Sequence, residues 1–179
     1  MVKIVDQLRE TCRSIMKKKD FESLDKMIEF ISRDLRHCIG VGANWIVALA
    51  LSTYTEAFGH FLPGLQNAKN FQCYNEFLDK WMNYGHVIDP KKPHVLYNDI
   101  RNGLAHEYLL KTDADVNMGT GICGLDVLSK NKKRFIRFNI ITYYNDFMQA
   151  VKKYQRTIRT DNNLKRAFDN RMKGKQRLK

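Results

Sequence analysis

The feature that most narrows the fold of this chain is helical periodicity. In FESLDKMIEFISRDLR, Phe21, Leu24, Ile28, Ile31 and Leu35 recur at alternating steps of three and four, the repeat of an apolar stripe on a helix of 3.6 residues per turn. Ile4, Leu8, Cys12 and Ile15 predict an earlier helix over 3–18, with Asp20 as the cap that opens the next. A third helix is expected from about Asn44 to His60, closed by Pro63 and Gly64, and a fourth carries Phe71, Tyr74, Leu78 and Trp81. Pro90 and Pro93 then interrupt the chain. KTDADVNMGTG reads as a polar, turn-rich connection, and GLDVL and RFIRFNI flanking SKNKK predict a β-hairpin. Tyr144, Phe147, Val151, Tyr154 and Ile158 mark a last long helix, after which apolar residues thin into a short helix or a loose tail. The expected class is therefore all-α, an antiparallel multi-helix bundle with a small β-hairpin inserted before the last long helix. Its parts are a helical domain over 1–160 and a basic tail over 161–179.

At 179 residues the chain is long enough for one domain with a real core. MVKIVDQLRE carries charges within its first turns, unlike a secretory leader. The longest charge-free run, Ile39 to Thr55, includes Asn44, Ser52 and two glycines and falls short of the ~20 apolar residues of a spanning helix. It reads as a buried core helix, so no membrane partner and a cytoplasmic setting are expected. Cys12, Cys38, Cys73 and Cys123 are scattered without a C-x-x-C pair, which suggests neither a zinc site nor a disulfide framework. No metal or cofactor is expected. His37, His60, His86 and His94 have no ligand or base partner at a telling spacing. Gly119, Gly121 and Gly124 fit the pattern of a dinucleotide loop, with Asp146 at a suitable distance. No strand is legible before them and a hairpin follows, so the glycines read as turn chemistry.

Charge is distributed very unevenly. Residues 1–129 hold 15 Lys and Arg against 16 Asp and Glu, whereas residues 130–179 hold 16 against 3. The formal net charge of +12 thus lies entirely in the C-terminal part, an electrostatic footprint for a polyanion such as RNA. Lys130, Lys132, Lys133, Arg134 and Arg137 fall on the expected hairpin. Lys165, Arg166, Arg171, Lys173, Lys175, Arg177 and Lys179 mark the tail, which also has the composition of a solubilising terminus.

The segment YNDIRNGLAHEYLLK, residues 97–111, concentrates the groups suited to chemistry. At 100° per residue, Tyr97, Ile100, Leu104 and Tyr108 form one apolar stripe, while Asn102 and His106 fall nearly opposite with Asp99 beside them. Arg101 sits at the border, with a side chain long enough to reach around the helix. Gly103 lies mid-helix at a cost of about 0.8–1.0 kcal/mol relative to Ala, which suggests close approach of a second backbone.

The string Arg101-Asn102-Gly103-Leu104-Ala105-His106 resembles the R-x4-6-H signature of HEPN domains, small helical proteins, many of them metal-independent ribonucleases that work as dimers. With Tyr108 it becomes R-x4-H-x-Y, similar to HepT-type toxins, whose tyrosine is modified with AMP by an antitoxin. The motif covers eight residues. The greater length, the hairpin and the basic tail depart from the compact HepT form, which leaves modification of Tyr108 open. The resemblance implies a homodimer whose facing motif helices build a site for single-stranded RNA, possessed by a toxin or defence effector and controlled by an antitoxin or regulatory protein. In that site His106 is a general acid or base, Arg101 grips phosphate oxygens through its planar fork, and Asn102 bonds phosphate or orients His106. Lys132, Lys133, Arg134 and Tyr108 are the candidate substrate contacts. Glu56 could orient Arg101, and Asp99 could bias the histidine. A second reading is a non-catalytic HEPN-like module binding RNA, a nucleotide or a protein partner. A third leaves Arg101 and His106 as ordinary exposed helix residues.

Overall fold

The computed structural model describes residues 2–176 apart from 66, 108–112, 122 and 131–132, with the side chains of 2–20, 107, 130 and 174–176 also left aside. It divides into two compact units, residues 1–34 and 35–179. The structure is mostly helical with a small three-stranded sheet.

One helix, α1 (Val2–Gly40), takes the place of the two expected from the sequence. Asp20 does not cap a new helix. Residues 17–21 contain neither Gly nor Pro, and an aspartate costs an internal turn only a few tenths of a kcal/mol, so about 0.7 kcal/mol at most opposes continuation. Leu24, Ile28, Ile31 and Leu35 are all buried. Gly42, with φ +73°, turns the chain in a backbone region that glycine enters without strain.

The larger unit is built on α2 (Asn44–Gly59), α3 (Asn70–Lys80) and α6 (Ile140–Thr157). Phe58 is its hub, with ring centroids 5.6–5.8 Å from Phe61, Phe77, Phe147 and Tyr154. Burying each such ring contributes about 1.5–3 kcal/mol. Two polar residues lie inside α2 at no loss of hydrogen bonding, because Ser52 Oγ donates to Ala48 O and Thr55 Oγ1 to Leu51 O, each at 2.8 Å. Gly59 lets α2 and α3 touch, since a Cβ there would lie 2.0 Å from the Cys73 carbonyl oxygen. Among the described residues no helix is long and apolar enough to cross a membrane.

The expected hairpin is present as β2 (Leu125–Lys130) and β3 (Lys133–Asn139), paired antiparallel with Leu125 opposite Phe138. Ile136 and Phe138 are buried while Arg137 is exposed, the period-two alternation of a half-covered strand. The segment read as a mere connection forms a third strand, β1 (Asp113–Asn117), parallel to β3 with Asp113 opposite Phe135. In DADVN only Ala114 and Val116 alternate with Asp113, Asp115 and Asn117, a short and weakly apolar signal between turn-rich flanks, and the strand pairs on the open edge of β3. A strand therefore does precede Gly119, contrary to expectation. The glycine loop nevertheless leads into β2 and not a helix, and so lacks the βαβ context of a dinucleotide site.

Residues after Asp161, expected as a short helix or loose tail, form α7 (Asn162–Gln176). Asp161 opens it, with Oδ1 accepting from the backbone N–H of Asn163 at 2.8 Å and of Leu164 at 3.0 Å, an N-cap arrangement. Leu164, Ala167 and Phe168 are buried, and the Phe168 ring meets Phe61 edge-on at 5.0 Å.

Candidate functional site

The motif segment is not one regular helix. It runs as α4 (His94–Tyr97), a π-helical turn over Asn98–Asn102, and α5 (Gly103–Glu107). A π turn bonds i to i+5, so its residues advance by less than the α-helical 100°; such turns are rare and cluster at functional sites. Tyr97, Ile100 and Leu104 remain buried, but the widened turn changes what lies beside them. Asn102 is half-buried, four residues before an exposed His106, and its Nδ2 donates to Asn98 Oδ1 across the turn at 2.9 Å. Arg101 lies within the π turn itself.

Arg101 is held from across the bundle by α2. Its Nε is 2.9 Å from Glu56 Oε2, with side-chain exposures of 23% and 11%. The buried Nε–H is not aligned for a hydrogen bond, so the contact is an ion pair set by proximity. Glu56 Oε2 also accepts the Tyr97 hydroxyl proton at 2.9 Å, and the guanidinium carbon lies 6.0 Å from the Tyr97 ring centroid. Burial first, and then the bond to Glu56, push the Tyr97 hydroxyl up to about 12, so it stays protonated and donating at neutral pH. Tyr97, a buried member of the apolar stripe, is also the third member of this cluster. Its ring is fixed edge-on against Tyr74 at 5.6 Å. From the other terminal side Arg101 Nη1 approaches Asn102 Oδ1 at 3.5 Å, a marginal bond at best.

The cluster extends to a histidine that the sequence left isolated. His60, one turn beyond Glu56, has Nε2 3.9 Å from Glu56 Oε1 and Nδ1 3.2 Å from Cys73 Sγ. Burial raises the Cys73 thiol above its usual range, the nearby Arg171 charge opposing in part. Burial thus favours the thiol form of Cys73 beside the imidazole. The i to i+4 spacing of Glu56 and His60 was visible in sequence, whereas Cys73 reaches them only because α3 packs on α2.

The remaining sequence candidates are dispersed. His106 is exposed, and its side chain makes no hydrogen bond to another described residue. Asp99 pairs with Arg134 Nη1 at 3.2 Å, with exposures of 16% and 26%, which ties the π turn to β3. Part of the Arg134 charge is thereby committed within the fold, and Asp99 has a strand arginine beside it. Lys133 is exposed. Tyr108 and Lys132 lie outside the described residues. Gly103 is buried. Among the described residues no group of three His, Cys, Asp or Glu side chains is arranged to hold a metal ion.

Comparison with known proteins found no match among family models, curated proteins or solved structures. The family resemblance therefore rests on the motif and its surroundings in this chain.

Proposed function

We propose that the chain is a metal-independent endoribonuclease of the HEPN type, cleaving single-stranded RNA at a homodimer interface. The observation that carries the reading is the anchoring of Arg101. A guanidinium fixed at Nε by Glu56 and leaning on Tyr97 presents its outer nitrogens in one orientation, and such preorganised charge is what a developing phosphorane requires. The π turn at the motif gives independent support, since a costly irregular turn persists where it positions a functional group.

In the proposed reaction a general base takes the proton of the RNA 2′-hydroxyl as its oxygen attacks the adjacent phosphorus. The bond from phosphorus to O5′ breaks, a general acid returns a proton to O5′, and a 2′,3′-cyclic phosphate and a 5′-hydroxyl remain. His106, exposed beyond the π turn, is the proton carrier, with the partner protomer's copy completing the acid–base pair. Lys133 and the surrounding basic surface bind the strand, and a toxin or defence effector under the control of a regulatory protein is the setting this activity suits.

One observation favours a second reading, a non-catalytic module binding RNA, a nucleotide or a protein. No described residue fixes the orientation of His106, whereas catalytic histidines are commonly held by a carboxylate or carbonyl. Incubation of labelled single-stranded RNA with wild type, Arg101→Ala and His106→Ala separates the two: cleavage by wild type alone supports the nuclease, and binding without cleavage supports the module.

A further inference from the structure

The end of α3 and one face of α6 enclose a cleft of about 360 Å³, lined by Trp81, Asn83, Asp146, Lys152, Lys153 and Arg156 among others. None of these residues belongs to the Arg101 cluster. Three features make the cleft more than a basic patch. The indole of Trp81 runs parallel to the Phe77 ring at 6.2 Å and carries the Lys153 ammonium 5.4 Å from its centroid, so an electron-rich aromatic surface borders the opening. Asn83, with φ +60°, the one non-glycine residue at positive φ among those described, turns the chain out of α3 in the left-handed conformation that asparagine tolerates, with the Tyr84 N–H on the Leu78 carbonyl at 2.8 Å, and so sets one border of the cleft. Asp146 is held in place by the Tyr84 hydroxyl, which donates to its Oδ2 while accepting from the Gly124 N–H at 2.9 Å.

The combination restricts the ligand. Lys152, Lys153 and Arg156 alone would take any anion, but a fixed carboxylate among them repels a bare polyanion and accepts from hydroxyl or amino donors. With one face of the indole on Phe77, the exposed Lys153 side chain has to swing from the ring to the phosphate, which leaves the indole as a platform on which any base can stack. We infer that this cleft is a nucleotide-binding site, with phosphate on Lys152, Lys153 and Arg156, the base against Trp81, and a ribose hydroxyl or base amino group on Asp146. The nucleotide is either one residue of an RNA strand or a free mononucleotide, which share this chemistry. The cleft stands apart from the reading of Arg101 and His106, and it is tested by binding whether or not RNA is cut.

The chain has two tryptophans, so Trp45→Phe leaves Trp81 as the sole indole reporter. Titration of that full-length protein with 5′-AMP is expected to change the emission saturably. Inorganic phosphate should bind more weakly, and Lys152→Glu with Arg156→Glu should weaken AMP by about tenfold or more, as expected for lost charge-assisted bonds. All three basic side chains are exposed, so the variant should fold, which circular dichroism checks. Competition by an oligoadenylate RNA assigns the site to a strand nucleotide; saturable AMP binding without competition assigns it to a free one, and both support the inference. Saturation by neither AMP nor RNA overturns it, as does equal binding of phosphate or unchanged AMP binding in the folded charge-reversal variant.

Discussion

Glu56 Oε2 lies within 2.9 Å of both the Arg101 Nε and the Tyr97 hydroxyl, so one carboxylate oxygen of α2 ties down two side chains of the motif segment. Replacing Glu56 with Gln keeps a carbonyl for Tyr97 and removes the charge opposite Arg101. Chemical denaturation should register a loss of about 1–3 kcal/mol, below the 3–5 kcal/mol of a fully buried pair because Arg101 is partly solvated. Tyr97→Phe should cost about 0.5–1.5 kcal/mol. A double-mutant cycle should show coupling between the two; strict additivity would contradict the shared oxygen.

The close approach of α2 to α3 rests on Gly59, and that of the glycine loop to α6 rests on Gly124, where a Cβ would lie 2.4 Å from the Tyr143 backbone nitrogen. In both places the obstacle is backbone, which cannot rotate aside. Gly59→Ala and Gly124→Ala should each destabilise by at least the ~1–3 kcal/mol typical of overpacking, whereas Gly40→Ala, with open space around it, should not. Thermal melts of the three variants provide the check.

Alkaline pH should loosen the fold through its tyrosines. Burial holds Tyr74 and Tyr97 up to about 12 and raises Tyr84, Tyr143 and Tyr154 as well. Below the ordinary value near 10 the hydroxyls are protonated in both states, and their contribution is fully present. As pH rises from about 10 toward 12 the unfolded chain ionises first and binds fewer protons, so stability falls. Tyrosinate absorbance should therefore show delayed ionisation that ends in cooperative unfolding. Eight tyrosines titrating together near 10 in an intact fold would contradict this.

The packing of α7 changes what its removal means. Phe168 is 1% exposed, and Phe168→Ala should cost about 3–5 kcal/mol. Deleting residues 161–179 should accordingly lower the melting temperature along with any RNA affinity, and a truncation that melts like the full chain would show the helix to be dispensable.

What the sequence revealed follows the physics of each element. Residues 44–59 and 140–157 were legible because buried stripes impose their period on the side chains, and β2 with β3 because Ile136 and Phe138 alternate with Arg137. The strand at Asp113–Asn117 was hidden, since its alternation rests on Ala114 and Val116 alone and an edge strand depends chiefly on its partner's backbone groups. The join at Asp20 was misread because a good cap residue is also tolerated inside a helix. At the site, Arg101, His106 and Glu56 could be nominated from residue type and spacing, but the π turn over Asn98–Asn102, closed by the Asn102–Asn98 bond, has no signature in a 100° projection. His60 and Cys73 meet through helix packing, which no local spacing records. Lys152, Lys153 and Arg156 belonged to the visible block of positive charge, while their grouping with Trp81 required the approach of α3 to α6.

The measurement closest to the central claim is the cleavage of end-labelled single-stranded RNA in excess EDTA by wild type, Glu56→Gln, Arg101→Ala and His106→Ala proteins of verified fold and oligomeric state. Wild type is expected to leave 2′,3′-cyclic phosphate ends, Glu56→Gln to cut less, and Arg101→Ala and His106→Ala to lose about a hundredfold or more, the scale of a removed oxyanion donor or general acid–base group. Cleavage that survives both alanine substitutions, or RNA bound and left intact by the wild-type protein, would contradict the claim.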